Sequence, residues 1–507
     1  MFIRKKRNRS GSTTIQILQK RNGKNIILQN LGTANDLVEI DFLYQKAIKE
    51  IQRLQNANIL PFEEDKELAF VDTFVNCINS FSLVGPSLLL GRIFDEIGFN
   101  QIPNVLFKHL VITRLIYPVS KLKTVDYLYK YQGIQLSVYS IYRYLDTLHA
   151  TQIETVKQIS LAHTLSVLDN NISVVFYDVT TLYFETRDED DFKRKGFSKD
   201  GKHQQPQIVL GLLVSEQGYP LDYHVFEGDK YEGDTLIPTI EYFEKKHKIE
   251  QLTIVADAGL LSKANIKAII KKKYQYILGA RIKGEKEDVK KQILALKLED
   301  KQSQVIPIDD MTKLIVSYKK SRAINDEKNR KRGLEKLQEK LKTEKLNKSH
   351  INNKGYNKYL KIEGKATIKI DEAKYLEDAK WDGLKGYLTN TKLSKEDVII
   401  QYHQLWQIEK AFRISKSDLE IRPIYHQLKK RIEAHICIAF VACKIYKELE
   451  RQLKEKNSSL TPEKVIDILK TIYKVEFETP YSTKKYTKMI LKNKEQKGLV
   501  DLFDIKI

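Results

Sequence analysis

Cysteine is scarce in this chain of 507 residues: Cys77, Cys437 and Cys443 are the only three. None pair at a zinc-ligand spacing, and an odd, scattered set is no disulfide framework, so a reducing cytosol fits. Long apolar runs are missing too. The best of them, 436–441, falls far short of the ~20 residues a bilayer-spanning helix needs. The first nine residues are basic but no apolar stretch follows them, so no signal peptide is expected. Acidic residues are absent before Asp36, whereas Arg4, Lys5, Lys6, Arg7, Arg9, Lys20, Arg21 and Lys24 crowd the same stretch. The signatures of RNA-binding modules are absent as well.

What is present points to a large folded protein. At 42% hydrophobic residues the chain has ample core material, which excludes disorder throughout. Its length predicts about two to four domains. The formal net charge is +21 and the pI about 9.4. Two readings of that charge stand side by side: a polyanionic partner, nucleic acid above all, or a composition rich in Lys, Ile and Asn.

Residues 1–35 read as short strands, with 13–18 and 25–28 flanking Asn22-Gly23, a strong hairpin signal. A basic hairpin carrying Arg4 and Lys5 can lie along a phosphate backbone; it can equally be an edge protected by charge. From 36 to 165 the pattern is helical. Ser120 caps a helix that Gly133 ends, and Ser137 caps a second through His149. The second would carry Tyr139, Tyr142, Arg143 and Tyr144, in an arrangement like a helix-turn-helix or any helical hairpin. From 166 to 280 the order is three strands, helix, strand, helix, strand, that of a ribonuclease-H-like α/β core. Asp234 is expected to cap the first helix there and Ser262 the second. Residues 281–380 read as an insertion. It has a strand near 314–318, a charged helix over 325–346, and strand-like stretches at 359–370 and, just beyond, at 386–389. The core resumes over 381–450, with a helix capped near Ser394, and 451–507 reads as a helical terminal region with Thr461 and Pro462 opening a helix.

Asp178 and Asp257 each follow an apolar strand of that core, at the edge where ligands of open α/β sheets sit. Either Asp alone is as readily a turn residue, but on adjacent strands the two can share a cation. The stretch 401–416, QYHQLWQIEKAFRISK, supplies a third acid. Tyr402, Glu409 and Lys416 recur every seven residues, and a helix drifts only about 20° per heptad, so all three would line one face, with Arg413 beside them. Leu405, Ile408 and Phe412 supply packing. Asp229 and Asp234 read as turn and cap, His203 as a loop residue, and His435 as a satisfied core histidine.

This arrangement resembles the insertion-sequence DDE transposases marked by a Tyr-x2-Arg-x3-Glu-x6-Lys signature. Tyr402, Glu409 and Lys416 match it, and Trp406 and Ile408 fit its pattern. Leu405 stands where the signature has Arg, which leaves that phosphate contact unassigned. YDVTTLYFE at 177–185, GFSKDGK at 196–202, VADAGLLS at 255–262, DGLKGYLTN at 382–390 and RPIYH at 422–426 resemble the same group. The resemblance implies a ribonuclease-H-like core with an insertion between the second Asp and the Glu. It implies metal-dependent cleavage and strand transfer at terminal inverted repeats. Two Mg²⁺ ions, with Mn²⁺ as a substitute, would sit on Asp178, Asp257 and Glu409, with Asp178 bridging them. Tyr402, Trp406, Arg413 and Lys416 would contact DNA near the cut, joined by Arg422, Tyr425 and Arg143. The partners implied are element-end and target double-stranded DNA and a second copy of the chain in a homodimer, in a prokaryotic cytoplasm near the nucleoid. Two alternatives stay open: a stand-alone Mg²⁺-dependent nuclease, and a transposase-derived DNA-binding protein that no longer cuts.

Overall fold

A computed structural model describes residues 1–54, 63–169, 172–198, 201–247, 252–260, 262–343, 351–352, 355–363, 367–479 and 482–506. It divides into two compact units, 1–81 with 475–488, and 82–474 with 489–507.

The first unit opens on an antiparallel sheet of β1 (Phe2–Arg7), β2 (Thr13–Arg21) and β3 (Lys24–Ala34) in that order. Asn22 and Gly23 both take positive φ, 48° and 76°, as a two-residue hairpin turn demands. Ile15 and Ile17 of β2 are fully buried, against the helix Leu37–Leu54 that contributes Ala47. A further strand, β4 (Ile78–Leu83), interrupts the stretch expected to be wholly helical.

The second unit is built on one mixed sheet. Its strands are β5 (Val174–Tyr183), β6 (Gln207–Ser215), β7 (Pro220–Glu227), β8 (Thr253–Ala256), β9 (Gln275–Ala280), β10 (Ser303–Pro307) and β11 (Lys313–Tyr318). A small separate hairpin, β12 (Leu360–Glu363) and β13 (Thr367–Ile370), precedes the last strand of the sheet, β14 (Leu384–Thr389). The spatial order is β10-β11-β14-β9-β8-β5-β6-β7. Only β5–β8 and β8–β9 are parallel; the other pairs are antiparallel. Two corrections to the insertion follow. Its strand at 313–318 belongs to the central sheet together with β10 before it, and pairs there with β14, which lies beyond the insertion. The run read as one strand at 359–370 is the β12–β13 hairpin. Its charged helix is Lys320–Lys342; the last residues expected of it, 344–346, lie outside the described residues, as do 199–200 and 261 of the resembling stretches.

Both faces of the sheet are covered. Along β5, Val175, Tyr177 and Val179 enter one core with Leu236, Ile240, Phe243 and Ile269. Phe176 and Leu182 enter the other, with Phe412 and the helix Lys429–Glu455. The period of two is that of a strand buried on both sides. Caps fall where the side chains call for them: Ser120, Ser137, Ser262, Ser394 and Thr461 each accept from the backbone N–H three residues on. Asp234 does not cap; it lies in a tight turn, Glu232–Asp234, before the helix Leu236–His247. The terminal region is not wholly helical either, since β15 (Tyr473–Thr479) and β16 (Ser482–Ile490) form a sheet in the order β16-β15-β4. Among the described residues no helix is long and apolar enough to cross a membrane.

Candidate active site

The parallel pairing of β5 with β8 ends at Tyr177 opposite Ala256. Asp178 and Asp257 are the next residue on each strand. Parallel neighbours lie about 4.8 Å apart, and the alternation turns both carboxylates toward the face that Phe176 and Val255 share. Asp178 does not end its strand, however: β5 continues to Tyr183 on β6 alone. The Asp178 Oδ1 accepts from the Val179 N–H at 2.8 Å.

Over that face run two short helices, Lys395–His403 and Trp406–Arg413, followed by a π-helical turn, Ile414–Asp418. Tyr402, Glu409 and Lys416 therefore sit on three segments instead of one helical stripe. The break at Gln404 and Leu405 has no Gly or Pro to mark it. Leu405, Ile408, Ala411 and Phe412 are buried, which holds the second helix on the sheet and leaves Glu409 at the surface of a cleft. The cleft, of about 330 Å³, is lined by Asp178, Asp257 and Glu409 together with Lys385, Tyr402 and Trp406.

Tyr402 is buried at 5% exposure and its hydroxyl donates to Asp257 Oδ1 at 2.9 Å. Burial, and then the adjacent carboxylate, push its phenol pKa up, so it stays a neutral donor. The hydroxyl's proton is directed to Asp257. Gly279 makes the contact possible, because a Cβ there would lie 2.4 Å from the Tyr402 hydroxyl. Lys385 was not singled out in the sequence, although the DGLKGYLTN stretch contains it. Its ammonium lies 4.4 Å from the centre of the Tyr402 ring. Burial lowers its pKa first, Arg322 and Lys319 add to that, and Asp257 and Glu409 oppose it. A larger hollow of about 560 Å³ shares Asp257, Lys385 and Tyr402 with the cleft and extends beneath Arg322 and Arg330 of the insertion helix.

The other expected DNA contacts are dispersed. Trp406 lines the cleft and is 47% exposed, with the Lys410 ammonium 6.0 Å from its ring centre. Arg413 is exposed, and Lys416, half-buried, reaches over the Phe412 ring; neither lines the cleft. Arg422 and Tyr425 border a different hollow. Arg143 is exposed on its helix, beside the buried Tyr144. In the first unit Arg4 donates to Gln16 Oε1, and the Lys5 ammonium lies 4.2 Å from the Tyr44 ring. Of the acids set aside, Asp229 pairs with Arg194 at 2.9 Å. His435 is buried, with Nε2 3.1 Å from the Ile421 carbonyl.

Three carboxylates facing one cleft offer the hard oxygen donors that suit a divalent cation. Among the described residues no three His, Cys, Asp or Glu side chains stand together as a ready ligand cage, and the Lys385 ammonium supplies positive charge among the carboxylates. The donor chemistry fits such an ion.

Residues 169–443, more than half of the chain, match the model of the Transposase DDE domain. No curated protein matches. Among solved structures, one similar chain is a piggyBac transposase in a synaptic complex with hairpin DNA, at 10% identity and a TM-score of 0.40, with 79% of each chain covered. The span of the family match takes in β5, β8 and the Glu409 helix, and on that match the chain belongs to the DDE transposase family.

Proposed function

We propose that this protein is the transposase of an insertion sequence. It would bind the terminal inverted repeats of its element as double-stranded DNA, cut there, and join the freed 3′ ends to target DNA. The observation that carries the reading is the meeting of Asp178, Asp257 and Glu409 in one cleft, within the family-matched span. These three residues would hold the divalent ions, with Mg²⁺ the natural choice for carboxylate and phosphate oxygens and Mn²⁺ a substitute. Such ions, when bound, stabilise charge on the attacking and leaving oxygens of a phosphodiester.

The chain's own residues complete the site. Tyr402 fixes Asp257 through its hydroxyl, and Gly279 leaves room for it. Lys385 offsets the carboxylate charge, and Trp406 offers an exposed indole on which a displaced base can stack, worth about 1–3 kcal/mol. Joining two element ends calls for two active sites, which supports a homodimer.

Asp178→Asn and Glu409→Gln remove one ligand charge each with little change in shape. Each is expected to abolish Mg²⁺-dependent cleavage of element-end DNA, a loss of at least about a thousandfold, while leaving affinity for that DNA intact. Cleavage at the normal rate by either variant would falsify the assignment.

A further inference from the structure

A second hollow in the same unit, about 350 Å³, shares no lining residue with the carboxylate cleft. It lies at the start of the helix Lys121–Gln132, whose cap is Ser120. Four cations line it, Arg114, Lys121, Lys123 and Arg422, against one carboxylate, Glu420. Two of those cations are deeply buried: Arg114 and Lys121 are each 6% exposed. Arg114 is tied weakly, donating to the Leu419 carbonyl at 3.4 Å and lying 3.5 Å from His435 Nδ1. The Lys121 ammonium has no hydrogen-bond or ion-pair partner among the described residues, and it borders the hollow.

Burial and mutual repulsion act on the whole group. Lys121 is pushed far down, by burial first and then by Arg114. Arg114 falls to about 10 through burial, with Glu420 opposing. His426, depressed to about 3, and His435 are kept neutral by burial and by the same cations. Two buried cations offset by a single exposed carboxylate are costly, and a bound anion relieves that cost. The first turn of the helix adds N–H groups and the positive end of its dipole. Around the mouth stand Lys123 and Tyr425, both exposed, and Arg422. They add two cations and a phenol to the two buried cations, groups that a continuing backbone can also meet.

We propose that this hollow is a phosphate site that takes one backbone phosphate of DNA, with Lys121 and Arg114 as its buried charge partners. The DNA source rests on the transposase reading; the phosphate chemistry does not. The test uses the full chain and its Lys121→Met variant, which keeps the apolar stem and removes the buried charge. Binding of a labelled duplex is followed over a range of salt concentrations. In parallel, thermal unfolding is followed in inorganic phosphate and in chloride of equal ionic strength.

One lost phosphate contact should reduce the slope of log K against log salt by about 0.9. Phosphate should raise the melting temperature of the unaltered protein more than chloride does, and this excess should vanish in Lys121→Met. If the variant does not fold, Lys123→Gln at the exposed rim should lower the same slope. An unchanged slope in a folded variant overturns the proposal. Phosphate protection that depends on Lys121 while the slope is unchanged identifies a free-phosphate site and overturns the DNA source. If the unaltered protein fails to bind DNA at all, the transposase reading falls. The phosphate arm then still decides: no Lys121-dependent protection rejects the hollow as a phosphate site.

Discussion

Lys385 sets the charge balance of the carboxylate cleft. It is half-buried, stacked on Tyr402, and it is the cation lining a cleft that also holds Asp178, Asp257 and Glu409. A fixed ammonium there competes with a divalent ion for the same field. Lys385→Met should therefore tighten the binding of Mn²⁺ or Mg²⁺ by roughly fivefold, about 1 kcal/mol for one charge screened at this partly exposed site. Calorimetric titration of the protein alone reads this without reference to DNA cutting. Unchanged affinity would mean that Lys385 acts on the DNA or on packing and leaves the metal field alone. Nothing in the sequence singles Lys385 out, because a lysine two residues past a glycine, in a chain with 87 Lys and Arg, is ordinary. The two Asp residues were recognisable because an acid that closes an apolar run is rare. Gly279 was hidden for a different reason: it serves a tyrosine more than a hundred residues away.

At the scale of elements, local signals were mostly readable, Asp234 being the cap that failed, and distant pairing was not. Asn22-Gly23 announced its turn, and every serine or threonine expected to cap a helix does so, since these interactions span three or four residues. The membership of β10, β11 and β14 in the central sheet was not readable. It depends on β14 returning beside β9 after the whole insertion, and no local pattern records which strand it will meet. The seven-residue spacing of Tyr402, Glu409 and Lys416 was real, but the helix carrying it breaks at Gln404 and again becomes a π-turn after Arg413. The basic hairpin of the first unit gives an element-level expectation. Lys6 and Arg7 are exposed on β1, while Arg4 is held by Gln16. Replacing Lys6 and Arg7 with Gln should weaken DNA binding and flatten its salt dependence by about 1 to 2 in slope, with the fold intact. A slope identical to that of the unaltered chain would remove the hairpin from the DNA interface and leave it a charged, protected edge.

For the whole molecule, a net charge of +21 strains the folded state by self-repulsion, and part of that strain lies in the core. The helix Lys429–Glu455 runs through the larger hydrophobic cluster, and Lys444 on it is fully buried. Its ammonium donates to the Ser160 carbonyl at 3.0 Å and to Thr164, and lies over the Tyr219 ring. Burial drives its pKa down to about 7, with Glu448 the main opposing influence. In the unfolded chain a lysine keeps its proton to about 10.4. Between those values the unfolded state binds the extra proton, so this group makes the protein more stable as pH rises from about 7 toward 10. Below 7 the charge is carried in both states and the folded state bears the full burial cost. Lys444→Met removes the charge, and the Thr164 hydroxyl already donates to the Ser160 carbonyl that would otherwise lose its partner. The variant should therefore unfold about 1–4 kcal/mol less readily than the unaltered chain at pH 6, with the gap narrowing by pH 9 and closing only near pH 10. Denaturant unfolding of both proteins at the two pH values measures it. A variant less stable at pH 6, or an advantage that grows with pH, would show that Lys444 is held charged by partners strong enough to outweigh its burial.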